Sequence, residues 1–215
     1  MTRFYPVFAD VEGRTCLVVG GGRVAEERAA RLAASGARVR LVAPRTTQEL
    51  ARMVAQSEIT EHRQRVYAAS DMDGCHLAIA ATDSREVNRG VHADARARGV
   101  WCNVADDPGV CDFILPSVVR RGDLTLAVST GGASPVVAAD VRRRLEESFG
   151  PEWGTLIEIL GDSRDALKRR HPEPAQRSSR VRSVLESDVL DLLARGDCDA
   201  AERRVRELLD VEDES

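Results

Sequence analysis

The sequence predicts an α/β fold, and three observations carry that prediction. Apolar runs of strand length alternate with helix-period segments between Thr15 and Asp106, the first run breaks into Gly20-Gly21-Gly22 directly before a helix, and the alternation stops after Asp106. Strand, helix, strand in that order means parallel strands with helices across their faces, a Rossmann-like sheet. The remainder of the chain reads as a β-hairpin and a helix, then a small all-helical carboxyl-terminal part.

Residues 16–19 and 39–43 read as buried strands, and residues 77–81 and 100–104 repeat the type. Between the first two, Ala25, Ala29, Leu32 and Ala33 share one helical face, and Gly36 is placed to end the helix. A second helix over 85–98 puts Val87, Val91 and Ala95 in one row, starts at a cap formed by Asp83 or Ser84, and stops at Gly99. Residues 113–119 and 124–128 read as hairpin strands around a turn at 120–123. Ser134-Pro135 then opens a helix whose Val137, Val141, Leu145 and Phe149 recur every four residues, with Arg142 to Arg144 facing out. Beyond Pro151 one stripe holds Trp153, Leu156, Ile157, Leu160 and Leu167. A second holds Val181, Leu185, Val189, Leu192 and Leu193, a last short helix carries Val205, Leu208 and Leu209, and the acidic end 212–215 reads as a loose tail. These changes of character set expected boundaries of 1–112, 113–150 and 151–215.

The 215 residues are 43% hydrophobic, ordinary for a globular chain. With 31 Lys and Arg against 35 Asp and Glu, no overall field favours nucleic acid, and any anion site must be local. No run reaches transmembrane length and the opening Met1 to Pro6 lacks the apolar core of a signal peptide, so the expectation is a cytoplasmic protein without a membrane partner. Five widely spaced cysteines with no C-x-x-C pair read as reduced thiols buried as small apolar residues. Four scattered histidines and the lack of a G-x-S-x-G turn give no expectation of a bound metal or a serine nucleophile.

The chemistry concentrates at strand ends. Gly20 suits the tight strand-to-helix turn, Gly22 removes a side chain that would block a pyrophosphate, and Ala25 permits close helix packing, so Gly20, Gly21, Gly22, Arg23 and Val24 are candidate cofactor contacts. The same residues also make an ordinary glycine turn. At the end of the second strand, where an NAD fingerprint carries an acidic residue, stand Pro44 and Arg45. An arginine there accommodates a 2′-phosphate, or simply faces solvent, and the choice between NAD and NADP stays open. Thr82 and Asp83 lie on the carboxyl edge of the presumed sheet, although Asp83 also fits as a helix cap. Asn103, Asp106 and Asp107 close the last strand with an amide and two carboxylates, which suit proton handling beside a nicotinamide and equally suit an Asp-Asp-Pro turn. Ser129 to Ser134 joins a strand to a helix with hydroxyls and bare N–H groups, a carboxylate cradle or a plain capped turn. The basic run from Arg164 to Arg182, opposed only by Asp165 and Glu173, is a solvated face or a polyanion cleft.

Taken together, residues 18–25, 78–83, 102–106, 113–117 and 128–135 closely resemble, in order, the motifs of the precorrin-2 dehydrogenase / sirohydrochlorin ferrochelatase family, including the amino-terminal module of siroheme synthase. The resemblance covers residues 1 to 150 well, and the helical remainder agrees in length and character. It implies NAD-dependent oxidation of precorrin-2 to sirohydrochlorin, Fe2+ insertion in bifunctional members, and a homodimer built through the hairpin and following helix. On it, 1–112 is the NAD-binding domain and 113–150 the dimerisation region. It carries the family's key aspartate onto Asp106, which would take protons released by dehydrogenation or metal insertion. The substrate's carboxylates would meet Asn103, Ser117, Ser129, Thr130, Gly131, Gly132 and Ser134. Thr130 falls where some members carry a phosphorylatable serine, and Arg45 departs from the residue expected there. Two other readings remain: a reductase for another small substrate, and a non-enzymatic NAD(H)-responsive regulator.

Overall fold

The computed structural model describes residues 4–105 and 107–211, which divide into two compact units, residues 1–115 and 116–215. In the first, strands β1 (Thr15–Val19), β2 (Arg38–Val42), β3 (Glu61–Arg63), β4 (Leu77–Ala80) and β5 (Trp101–Val104) form one parallel sheet ordered β3-β2-β1-β4-β5. Alternate residues along each strand face opposite layers. Cys16, Val18, Val39, Leu41, Leu77 and Ile79 pack with Ala25 and Ala29 of α1 (Arg23–Ala33) and Leu50 and Met53 of α2 (Gln48–Ala55). Leu17, Val19, Val42, Ala78, Ala80, Cys102 and Val104 pack with Val91 and Ala95 of α3 (Arg85–Ala97). Both faces of the central strands are covered, which is why β1 and β4 read as apolar runs, whereas β2 carries Arg38 and Arg40.

Gly36, at φ 77°, ends α1, with its own N–H donating to Ala33 and that of Ala37 to Leu32. Ser84 rather than Asp83 caps α3, accepting from Val87 N, and Val87 itself is exposed. Two elements lie outside the sequence-based expectation. Helix α2 starts at the cap Thr47, which accepts from Leu50 N. Strand β3 is polar and sits on the sheet edge, where ion pairs hold it: Glu61 bridges Arg40 and Arg63, each at 2.6 Å, and the buried Asp71 accepts from Arg63 and Arg65.

The second unit opens with the antiparallel hairpin β6 (Ser117–Arg121) and β7 (Leu124–Val128) around Gly122-Asp123. The first hairpin strand begins four residues later than expected, because Phe113 packs into the sheet core, its carbonyl accepts from Asn103, and Pro116 has no N–H to give a ladder. Helix α4 (Pro135–Ser148) is capped by Ser134, which accepts from Val137 N. Of the expected apolar row, Val137 and Val141 are exposed, as is Val136, while Leu145 is half-buried. Helix α5 (Glu152–Asp162) meets the hairpin turn through Gly154, where a Cβ would press on Arg121.

Helices α6 (Arg164–Arg170), α7 (Pro174–Leu185), α8 (Val189–Ala194) and α9 (Cys198–Leu209) enclose, with α5, a core of Leu156, Ile159, Leu167, Val184, Val189, Leu193, Ala201, Val205 and Leu209. Val184 takes the core place expected for Leu185, which is exposed. The last helix runs twelve residues, longer than expected. The basic run is partly neutralised from a distance: Arg170 and His171 approach Asp210 at 3.3 and 3.6 Å, and Arg177 and Arg180 bond carbonyls of His171 and Leu208. The acidic end 212–215 lies outside the described residues. No helix among them is long and apolar enough to cross a membrane.

Candidate functional site

The carboxyl edge of the sheet collects the candidate cofactor residues. Strand order reverses between β1 and β4, and the glycine turn leaves β1 at that point, where open α/β sheets bind their ligands. Gly20 at φ 130° donates to Val42 O at 3.0 Å, and a Cβ there would collide with Ala81 O. A Cβ at Gly21 would collide with Arg45 O, and Thr47 N donates to Gly21 O at 3.0 Å. The turns after β1 and β2 are therefore packed backbone to backbone. Thr47 ties them again, its hydroxyl donating to Glu26 Oε2 at 2.6 Å.

Gly22 differs from its two neighbours. Nothing lies within 4 Å of a Cβ built on it, so its lack of side chain answers no packing demand inside the protein. It is also the N-cap of α1 and offers no side-chain bond, whereas Thr47, Ser84 and Ser134 each cap their helices. The first-turn N–H groups of α1, on Arg23 and Val24 among others, are left for an external acceptor, and an anion such as a pyrophosphate is the species that this end of a helix favours. Open space at Gly22 and an uncapped helix start fit a dinucleotide.

Pro44 and Arg45 lie exposed beyond the end of β2. Beyond β4, Asp83 is exposed, while Thr82 is held by Asn88: its hydroxyl and N–H donate to Asn88 Oδ1 at 2.7 and 3.1 Å, and Asn88 Nδ2 returns a bond to Thr82 O. Asn88 is buried, and sequence reasoning misses it, because a lone polar residue on a helix carries no signal of what it faces. The amide of Asn103 is spent on Phe113 O at 2.9 Å and Cys111 Sγ at 3.5 Å. The chain returning after Asp107 runs back along β5, with Val104 N donating to Cys111 Sγ, and Cys102 and Asp112 exchanging two bonds at 2.9 Å. Both flanks of the 105–110 connection are thus pinned to the edge strand. Asp106 itself lies outside the described residues, and Asp107 is exposed. Burial pushes the Cys102 thiol up to about 12 and raises that of Cys111, so neither offers a thiolate.

In the second unit, Ser117 opens β6, and the Ser129–Ser134 turn is internally bonded. Ser129 Oγ accepts from Gly131 N, Thr130 Oγ1 accepts from Ser134 N and donates to Ser134 O, and Gly131 and Gly132 hold φ of 63° and 87°. The five cysteines are free thiols. No cluster of three or more His, Cys, Asp or Glu that could hold a metal ion occurs among the described residues.

Three family profiles match in series: one described as "Putative NAD(P)-binding" over residues 7–117, sirohaem biosynthesis protein central over 121–148, and sirohaem synthase dimerisation region over 152–209. The chain belongs to the sirohaem synthase family. It is 41% identical over 92% of its length to a siroheme synthase of Chromobacterium violaceum and 37% identical over 97% to one of Methylococcus capsulatus, of which it spans 42% and 44%. Among solved structures, SirC, precorrin-2 dehydrogenase, superposes with a TM-score of 0.76 at 22% identity, covering 96% of this chain and 99% of that one. That likeness agrees with the parallel sheet and helical carboxyl-terminal region.

Proposed function

We propose that this chain is an NAD-dependent precorrin-2 dehydrogenase, oxidising precorrin-2 to sirohydrochlorin on the way to siroheme. The observation that carries it is the uncapped, side-chain-free start of α1 at Gly22, set in a chain that matches a putative NAD(P)-binding profile over residues 7–117 and two sirohaem profiles over 121–148 and 152–209. Gly21, Gly22, Arg23 and Val24 hold the pyrophosphate through backbone N–H groups while Gly20, its N–H given to Val42 O, shapes the turn; Pro44 and Arg45 meet the adenosine ribose, and Thr82 and Asp83 border the nicotinamide half. NAD+ bound there supplies the hydride acceptor. Asp106 accepts the proton lost with that hydride. Asn103 acts by fixing the Cys111–Phe113 segment, which sets where the 105–110 connection lies. The hydroxyls of Ser117, Ser129 and Ser134 and the N–H of Gly132 receive substrate carboxylates, while Thr130 and Gly131 spend their donors holding the turn's shape.

The working unit is a homodimer, which the match of residues 152–209 to a dimerisation region supports; the exposed valines of α4, outside that match, offer further apolar area. Mixing the chain with NAD+ and precorrin-2 should raise NADH absorbance, and absence of turnover with any tetrapyrrole would turn the reading toward a reductase for another substrate or an NAD(H)-responsive regulator. Asp106→Ala should abolish turnover while NAD+ still binds, and full turnover in that variant removes Asp106 from the mechanism. Adding Fe2+ to the product, with and without protein, reports whether this chain also speeds the appearance of the siroheme spectrum.

A further inference from the structure

We infer that Asn88 is a positioning residue for the coenzyme: its buried amide holds Thr82, and with it the Ala81–Thr82 peptide beside Gly20, in the place that the nicotinamide half of the dinucleotide needs. The inference rests on the dinucleotide reading of the glycine turn. Asn88 stands where the packing of α3 calls for an apolar residue, buried on the same face as Val91 and Ala95, which enter the sheet core. An amide there costs helix propensity and desolvation unless it is hydrogen-bonded. Ser84 already caps the helix through Val87 N, so Asn88 is not needed for that.

The bonds of Asn88 go to one residue. Its Oδ1 accepts from the N–H and the hydroxyl of Thr82, at 3.1 and 2.7 Å, and its Nδ2 donates to Thr82 O at 2.9 Å. The amide thus engages both backbone groups of Thr82, as a neighbouring strand would, beyond the point where β4 ends at Ala80. Thr82 commits its N–H and hydroxyl to Asn88, so it borders a ligand by shape, and its place matters more than its donors. The peptide joining Ala81 to Thr82 passes close to the glycine turn: a Cβ on Gly20 would collide with Ala81 O and stand 3.2 Å from Thr82 N. Ala81 N donates to Val19 O at 2.8 Å. The wall at the switch point between β1 and β4, where a dinucleotide passes from its pyrophosphate toward the nicotinamide, is therefore fixed by β1, by Gly20 and by Asn88. Of the three, only Asn88 acts through a side chain.

Calorimetric titration of the full chain with NAD+ and with ADP, beside thermal melting, tests this without reference to turnover. ADP ends at the pyrophosphate and is the probe that does not reach the β4 wall. Asn88→Ala should raise the NAD+ Kd roughly 10-fold, the scale of the bonds removed, and change the ADP Kd by less than about twofold. Asn88→Asp, of nearly the same size, removes only the donor to Thr82 O and sets a charge beside that carbonyl; it should weaken NAD+ by a similar factor, and it decides the question if the alanine variant does not fold. A lowered melting temperature with both Kd values unchanged, or NAD+ and ADP weakened by the same factor, makes Asn88 a stabilising residue alone and overturns the inference while the dinucleotide reading stands. Failure of both variants to fold does the same. Binding of neither ligand by the native chain overturns both.

Discussion

Strands β1 and β4 of the first unit bury both faces, whereas in β6 and β7 only Val119 is buried. In the first unit every layer has its partner within one chain: β1 and β4 are sandwiched between α1 and α2 on one side and α3 on the other. In the second, the α5–α9 core closes on itself, but α4 leaves Val136, Val137 and Val141 at 78%, 52% and 37% exposure. Apolar surface of that kind is where a chain meets another surface. The difference teaches that one half of the molecule is organised to hold a small molecule, while the layer formed by the hairpin and α4 has apolar area still to cover.

The strongest way to break this comparison is Gly21→Ala. The new Cβ meets a fixed carbonyl, so the first unit should lose about 3 kcal/mol or more in urea unfolding, while a separate transition from the α5–α9 core persists. A single, merged transition would show that the two units are not independent. Asp71→Asn should cost about 2 kcal/mol and loosen β3. Burial acts to raise the Asp71 pKa, but bonds from Arg65, Ala68 N–H and Arg63 outweigh it and lower it from 3.8 to about 2. Its contribution is then present above pH 3.8 and fades as the pH falls toward 2; melting temperatures of the native chain and the Asp71→Asn variant that fall in parallel over that window would contradict it.

On the other side of the comparison, Val137→Asp combined with Val141→Asp should shift the chain from dimer to monomer in light scattering and leave unfolding of the first unit unchanged. An unaltered mass would place the contact elsewhere. Removing one helix cap from each unit sharpens the contrast at a smaller scale: Thr47→Ala and Ser134→Ala should each cost about 1 kcal/mol, and the Thr47 change should also weaken NAD+ binding because that hydroxyl braces the glycine turn through Glu26. Gly22→Ala should have the smallest effect on stability of all, since its Cβ enters empty space, yet it should abolish NAD+ binding in the same titration.

Legibility follows burial. Strands β1, β2, β4 and β5 are readable because most of their residues are apolar and buried. Strand β3, Glu61–Arg63, is not, because charge pairs rather than apolar contacts hold it, and those pairs join residues that only the fold brings together. Helix α2 carries a weak signal in Thr47 followed by Leu50 and Met53, too short a pattern to stand out beside the longer helices. Asp210 reaches Arg170 across 40 positions, so the basic run looks less opposed in sequence than it is in space. In the candidate site, the glycine turn, Pro44, Arg45, Thr82 and Asp83 can be named from strand ends. The engagement of Asn103 with Phe113 and of Asn88 with Thr82 cannot, since an amide's partner is invisible to residue type.

The wedge between the Arg45 carbonyl and Gly21 has a practical outcome for anyone re-engineering this molecule. The two loops are packed as a single bracket, so transplanting a longer or shorter loop at either place would spread or pinch the proposed phosphate grip at the same time. Tuning has to proceed by exchanging side chains at fixed spacing.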